Sequence, residues 1–446
     1  MTFDRRRLFA ATFGLGLLSS TAVARPKAPG PVGADTGLAP DSGQDQTEVL
    51  QRLIDEAANR RTQLTLPPGR FLVRTLTLRP NSRISGAGSA TILKNSGGGA
   101  MLVADAADNL RLDNFTLDGG RLPLAANRAK GLLTIIRSSR IGVRDLSLRD
   151  SLLGGIVLDR SGGHVTGNMI AGVADAAIFS TDAIGLEITD NTISDAANNG
   201  ILVWRSSQGE DGTKVSGNRI EKIGAAAGGS GQNGNGINVY RAGNVLVTGN
   251  RIADCAFTAI RGNAASNIQM VANNCQRLGE VALYAEFGFQ GALIANNLVD
   301  GAATGVSVTN FNEGGRLAVV QGNLIRNLVR REAEAVDKRG DGIAVEADAV
   351  VTGNTIENAA TFGILIGWGR HMRDVTATSN LIRNARVGIG VTGDTAAGAV
   401  MITANMISGA RDGAIRSLKF SQPYGPDLAI GRTDTARTLI ERNLAI

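Results

Sequence analysis

Hydrophobic and polar positions alternate in short runs along most of this chain, and two of those runs recur. The first reads hydrophobic-Thr-Gly-Asn-x-Ile. It is clean at 165–170, 215–220, 247–252 and 351–356, and worn at 188–193, 270–275, 293–298, 320–325, 378–382 and 402–407. Its asparagines stand at 168, 191, 218, 250, 273, 296, 323, 354, 380 and 405, so successive copies are 23 to 32 residues apart. A fixed core repeating at this period with variable spacers predicts a solenoid with one coil per copy. The second run is Gly-Ile-x-Val, which starts at Gly155, Gly200, Gly236, Gly305, Gly342, Gly363 and Gly388. Strand side chains alternate faces, so its Ile and Val point inward and the residue between them outward. The hydrophobic residues flanking Gly-Asn also point inward. Each coil is thus predicted to carry three short strands, stacked in parallel about 4.8 Å apart. Asparagine tolerates a left-handed bend, and stacked asparagine amides can bond coil to coil, which makes the Asn column structural.

The two ends depart from this pattern. Arg5-Arg6-Arg7 precedes an apolar stretch from Leu8 to Leu18 that closes on Ala22-Val23-Ala24, so residues 1–24 read as an export signal. The Arg6-Arg7-x-Phe9 pairing resembles a twin-arginine signal, which implies the twin-arginine export machinery as a partner and a periplasmic or secreted destination. The apolar stretch is too short for an anchor and no second one follows, so no membrane span is expected in the mature chain. Residues 25–44, with Pro26, Pro31 and Pro40, read as a linker. A helix is predicted over 45–60, from an Asp45-x-x-Glu48 capping box and the stripe Val49, Leu50, Leu53, Ile54, Ala57 and Ala58. Such a helix would cover the open end of the solenoid, where apolar rungs and strand edges otherwise face water. After Leu418 the spacing fails at Pro423-Tyr424-Gly425-Pro426, and Ile440–Asn443 is a last worn copy, so 418–446 reads as the other cap of a 45–446 domain.

The succession of helix, Leu66-Pro67-Pro68-Gly69 and Ile84-Ser85-Gly86-Ala87-Gly88 resembles the entry segment of pectate-lyase-like proteins, and the refrain resembles their coil repeat. The resemblance covers residues 41–446. It implies an all-β fold, a single-stranded right-handed parallel β-helix with an N-terminal capping helix. Taken with the leader, the chain resembles a family of twin-arginine-exported repeat proteins of this fold, which brings no established activity. In pectate-lyase-like proteins the strand matching Gly-Ile-x-Val and its flanking loops form the substrate cleft, and the resemblance implies the same here.

Insertions point to the same strand. They fall at 205–213, 221–235, 310–316, 326–341 and 367–373, always beside Gly-Ile-x-Val, while the Gly-Asn corner never expands. Walls on both sides of one sheet predict a groove along it. The fourth residue after the motif glycine is Asp159, Thr181, Trp204, Tyr240, Thr309 and Glu346, with Tyr284 placed in a degraded copy. Beside them stand Arg160, Asp182, Arg205, Arg241, Glu286 and Asn310, and Trp368, Arg370 and His371 extend the surface in a loop. Aromatic rings stack on apolar sugar faces and arginine pairs with carboxylates, so an acidic polysaccharide is the expected partner. Asp159, Asp182, Trp204, Glu346, Trp368, Arg370 and His371 are the candidate substrate-binding residues. Elimination or epimerisation at a uronate needs a base at C5 and a cation on the neighbouring carboxylate. Tyr240 with Arg241 and Arg205, or Tyr284 with Glu286, could supply them. Hydrolysis would need two carboxylates about 5–10 Å apart, drawn from Asp159, Asp182, Glu286 or Glu346. The Asn-Thr-Asp and Gly-His-Gly motifs of polygalacturonases and the Asp-Pro-His motif of alginate epimerases are absent. A lyase or epimerase therefore stands ahead of a hydrolase, beside a non-catalytic binding or envelope-structural role of nearly equal standing.

Charge refines this little. The excess of 46 Lys+Arg over 40 Asp+Glu is spread along the chain, which argues against a nucleic-acid partner and suits an acidic glycan. Cys255 and Cys275 fall in different ladders and are expected to be two buried thiols. His164 reads as structural. No cofactor is identified, and no metal-ligand spacing or glycine-aspartate nonapeptide series occurs, which leaves a calcium requirement open.

Overall fold

The structure is a computed structural model and describes residues 37–97, 99–122, 131–310, 314–331, 340–430 and 433–446. The expected export signal over 1–24, most of the expected linker, and the centres of the 310–316 and 326–341 insertions lie outside the described residues.

The chain winds into a right-handed β-solenoid of about 13 turns behind a short helix. One coil illustrates all: Gly163–Thr166 lies on a first face, Met169–Val173 on a second and Ala176–Thr181 on a third. Each strand pairs in parallel with its equivalent one coil away, so like residues form columns. On the third face one inward column runs Leu133, Ile156, Ile178, Ile201, Ile237 and Ile260. These columns build one continuous apolar core through the solenoid. Where a third-face strand opens on the motif glycine, a side chain would have no room. A Cβ at Gly363 would come within 2.5 Å of Ile382 Cγ2 and 2.6 Å of Gly388 O.

The first corner is the Asn column. Asn168, Asn191, Asn218, Asn250, Asn273, Asn297, Asn323, Asn354, Asn380, Asn405 and Asn443 are joined by Nδ2–H···Oδ1 bonds of 2.9–3.1 Å from each coil to the next. Two details correct the sequence reading. The rung is Asn297 rather than Asn296, and the left-handed residue is the one before each rung, not the asparagine itself. Asn296 takes that preceding place with φ 56°, as Gly249 does with φ 64° in its coil.

The lid helix spans Thr47–Asn59, not 45–60, with Gln46 at its N-cap. Asp45 accepts from Thr47 N–H at 2.8 Å and pairs with Arg74 at 2.8 Å instead of forming a capping box. Leu50, Leu53, Ile54, Ala57 and Ala58 are buried on the first coils. Gln51 does more than pack. It accepts from Thr77 N–H at 2.8 Å and donates to Thr77 O at 2.9 Å, completing the first third-face strand's edge. At the far end, Gln422–Asp427 turns back antiparallel on Ile415–Lys419, and Asn443 supplies the last rung. Cys255 and Cys275 are free and buried, and burial pushes the Cys275 thiol up to about 12.

Candidate functional site

Register on the third face settles which outward side chains are neighbours. One outward column runs Ile136, Asp159, Thr181, Trp204, Tyr240, Asn263, Glu286 and Thr309, with Glu346 following Val345 in the next coil. Tyr284 does not belong to it. It sits two residues earlier, in the column of Asn238, Arg261 and Ser307, and Glu286 holds the place assigned to it from sequence.

The structure brings together Asp182, Trp204, Arg205, Tyr240 and Arg241. Trp204 meets Phe179 and Tyr240 edge-on, at centroid distances of 5.2 and 5.6 Å, so three rings line the face. The Arg241 guanidinium lies 4.8 Å from the Tyr240 ring centroid and donates to Ser206 O. Arg205 approaches Asp182 at 4.0 Å, while Asp182 accepts from both the backbone and hydroxyl of Ser206. Trp204 Nε1 and Arg205 Nε are buried donors without an acceptor. Asp182 and Arg241 are left-handed, but so is a residue at this corner in many coils, so the conformation follows from the winding. The 205–213 insertion is no free loop. Its first part continues the strand Asn199–Glu210, which rejoins its neighbour after a shift in pairing and hooks Gln208 onto Ala264 O and Gly288 O.

The remaining candidates are dispersed. Asp159 is held by Arg160 through two hydrogen bonds. Glu286 is fully buried and chelated by Arg261 at 2.6 and 2.8 Å, with Asn263 donating at 2.7 Å. Tyr284 is buried beneath the Arg261 guanidinium at 4.9 Å. Glu346 accepts from Asn310 N–H at 2.7 Å. Six coil steps of about 4.8 Å put Trp368 roughly 29 Å from Trp204. There Trp368 packs on Phe420 at 5.2 Å, with Arg370 and His371 exposed in a short 3-10 turn. A second recess of about 530 Å³ opens beside them, lined by Gly369, Asp394, Lys419, Phe420 and Tyr424. Among the described residues no group of three His, Cys, Asp or Glu side chains is arranged to hold a metal ion.

The sequence matches the family described as right handed beta helix region over residues 81–230, 154–325 and 207–407, together more than half of the chain. The chain belongs to the right-handed β-helix family. Among solved structures, this β-helix is similar to the pre-mature bacteriophage phi29 gene product 12, with a TM-score of 0.59 and 17% identity. That match covers 88% of the chain but 57% of the phage protein, so the chain spans less than two thirds of its length. A PL6 alginate lyase in complex with a trisaccharide aligns at a TM-score of 0.54 and 14% identity, over 84% of this chain and 86% of the lyase. Bacteriophage CBA120 tailspike protein 3 aligns at 0.50 and 12%, over 86% and 59%. Identities this low carry likeness of fold alone.

Sequence reasoning missed Arg261, Asn263 and Phe179 in this β-helix. The coil at Ala259-Ile260-Arg261 lacks the motif glycine, and with it the signal that would have fixed its register. Phe179 is outward at the x position of its strand, where aromatic character was not sought. The strap after Ile223 was recognised as an insertion, but not that Arg261 grips it at Ser230 O (2.7 Å) and Asn199 at Gln232 O (3.0 Å).

Proposed function

We propose that this chain is an exported β-helix protein that takes an acidic, uronate-containing polysaccharide along the outer third face, and that it acts on it by elimination or epimerisation. The observation that carries the reading is the row Phe179–Trp204–Tyr240 flanked by Arg205 and Arg241. Rings in edge-to-face contact present flat apolar surface for sugar faces, and guanidinia beside them can neutralise a uronate carboxylate. In the chemical step Tyr240 would be the base that takes the C5 proton while Arg241 or Arg205 stabilises the charge developing on the carboxylate. Elimination then expels the C4 oxygen, which takes a proton from solvent, and epimerisation returns a proton to C5 from the opposite face. The leader's twin-arginine resemblance supports export to the periplasm or beyond, and the family of exported repeat proteins it resembles. The alginate lyase holding a trisaccharide is a protein of the same fold, consistent with a glycan ligand.

A second reading, a non-catalytic glycan-binding or envelope-structural protein, is favoured by one observation. The nearby carboxylates are engaged: Asp159 by Arg160, Asp182 by Ser206 and Glu286 by Arg261. The same observation disfavours hydrolysis, which needs two carboxylates at work.

Incubation with uronate polymers, following ultraviolet absorbance of a new double bond, reducing ends and isomer ratios by NMR, separates the readings. Elimination or epimerisation gives a product that Tyr240→Phe lowers by about a hundredfold or more. Binding that Trp204→Ala weakens, without any product, leaves the binding protein. No binding at all sinks both.

A further inference from the structure

A recess of about 540 Å³ opens on the first face, on a different sheet from the aromatic row. Gly142 lies in its floor, and Arg111, Arg140, Arg144, His164 and Ile184 surround it.

Three observations set it apart. The first concerns Gly142 itself. Neighbouring Gly162 and Gly163 are glycine for want of space, since a Cβ there would fall 1.6 Å from Ile184 O and 2.2 Å from Ile141 O. Gly142 has no such reason. Nothing lies within 3.7 Å of its would-be Cβ, its φ is not left-handed, and it sits inside the strand Ile141–Arg144. Glycine within a strand weakens it and often marks a place where a ligand approaches closely.

The second is the charge left open there. Several arginines are matched across coils, as in Arg149–Asp118, Arg277–Asp254 and Arg326–Asp300 at 2.7–2.9 Å. Arg140 is likewise tied to Asn109 and Asp108, and His164 Nδ1 to Glu187 at 3.3 Å. Arg111 and Arg144 form no salt bridge among the described residues. Asp113 feels both charges without pairing with either.

The third is their placement. Arg111 Cγ and Arg144 Nε each lie 4.0 Å from the would-be Cβ of Gly142, so the two arginine side chains flank the buried backbone of that residue. Ile184, 69% exposed, adds an apolar wall.

We propose that this recess is a second binding site, in which Arg111 and Arg144 hold the carboxylate of an acidic sugar while its ring lies over Gly142 against Ile184. Two forked donors suit a carboxylate, and the apolar wall suits a sugar ring better than a bare ion. The choice of an acidic sugar rests on the reading of the third face, but the site stands on separate residues.

Arginine footprinting tests both independently. The full chain is treated with phenylglyoxal, with and without a galacturonate trimer, and modification is read peptide by peptide by mass spectrometry. The recess predicts that the trimer slows modification of Arg111 and Arg144, while maltotriose and inorganic sulfate at the same concentration do not. Protection at Arg241 reports the aromatic row alone. Unprotected Arg111 and Arg144 overturn the recess whatever Arg241 does, and an unprotected Arg241 beside a protected recess overturns the row. Equal protection by maltotriose would remove the role of charge, and equal protection by sulfate that of the sugar. Gly142→Glu places a tethered carboxylate in the recess and is expected to abolish protection of Arg111. Should that variant misfold, Arg144→Gln is expected to weaken trimer protection of Arg111 about tenfold, and full protection in a folded Arg144→Gln protein refutes the site.

Discussion

A buried amide needs its acceptor and both donors met, and Asn250 shows how one rung achieves this. Its Oδ1 accepts from the backbone and amide of Asn218, at 2.9 Å each. Its Nδ2 donates to Asn273 Oδ1, Val215 O and Thr248 O. Replacing it with alanine leaves the buried Asn218 backbone N–H without its acceptor and takes the amide donor from Asn273 Oδ1, Val215 O and Thr248 O. Asn250→Ala is expected to cost about 3 kcal/mol or more in urea-denaturation stability, against less than about 0.5 kcal/mol for exposed Lys214→Ala. Asp211 behaves oppositely. Burial pushes its carboxyl up despite hydrogen bonds from Thr213 and the charge of Arg205, and its Oδ2 has no partner. The folded state therefore holds this proton more tightly than the unfolded state. Its contribution is greatest at low pH and is lost as pH rises from the usual aspartate value of 3.8 through the raised folded value. The melting temperature of Asp211→Asn relative to wild type should thus climb across that window, and a flat difference would contradict the assignment. At this scale the sequence was legible where a residue recurs in every coil. It misled at Asn296, because two adjacent asparagines offer the same letter for two conformations, one left-handed and one in the rung.

Strands carry the next level of argument. The third-face glycines have no slack, so Gly363→Ala drives a methyl into Ile382 and the Gly388 carbonyl and should destabilise by about 1–3 kcal/mol. The periodic pattern made these strands readable, since inward and outward residues follow from alternation alone. It failed at the coil of Ile260, where Ala259 replaces the glycine and the row slipped by two residues at Tyr284. Phase within a strand fixes its face, but phase between coils depends on turns that alternation does not describe. The buried group that slip concealed, Arg261 with Glu286, is itself testable. Glu286→Gln leaves a buried guanidinium short of its counter-charge and should cost about 3–5 kcal/mol. It should also loosen the strap at Ser230, seen as faster hydrogen exchange over 224–234.

For the whole molecule, both ends of the solenoid are closed by a change of structure: a helix at one end and antiparallel strands at the other. Removal of 47–59 would uncover Leu64, Leu66 and Phe71 and free the edge that Gln51 completes. The shortened protein is expected to self-associate through that edge, a gain in mass visible by light scattering. The fold and its N-terminal helix were visible in sequence because they depend on repetition and its interruption. The candidate site was visible only as a face, because residues that meet there come from coils 22 to 36 positions apart, as Asp159 and Thr181 or Trp204 and Tyr240 do.

The asparagine column leaves one more consequence. It acts as a seam, tacking each turn from Asn168 onward at one point of its circumference. The stitch is the same whether the next one comes 23 residues later, between Asn168 and Asn191, or 32 later, between Asn218 and Asn250. Fabric can therefore be let out on the far side without shifting the stitching, as the strap of 224–234 already demonstrates. A foreign peptide of similar length sewn in at that place should leave the neighbouring turns in step, so the solenoid would carry loops mounted at chosen intervals.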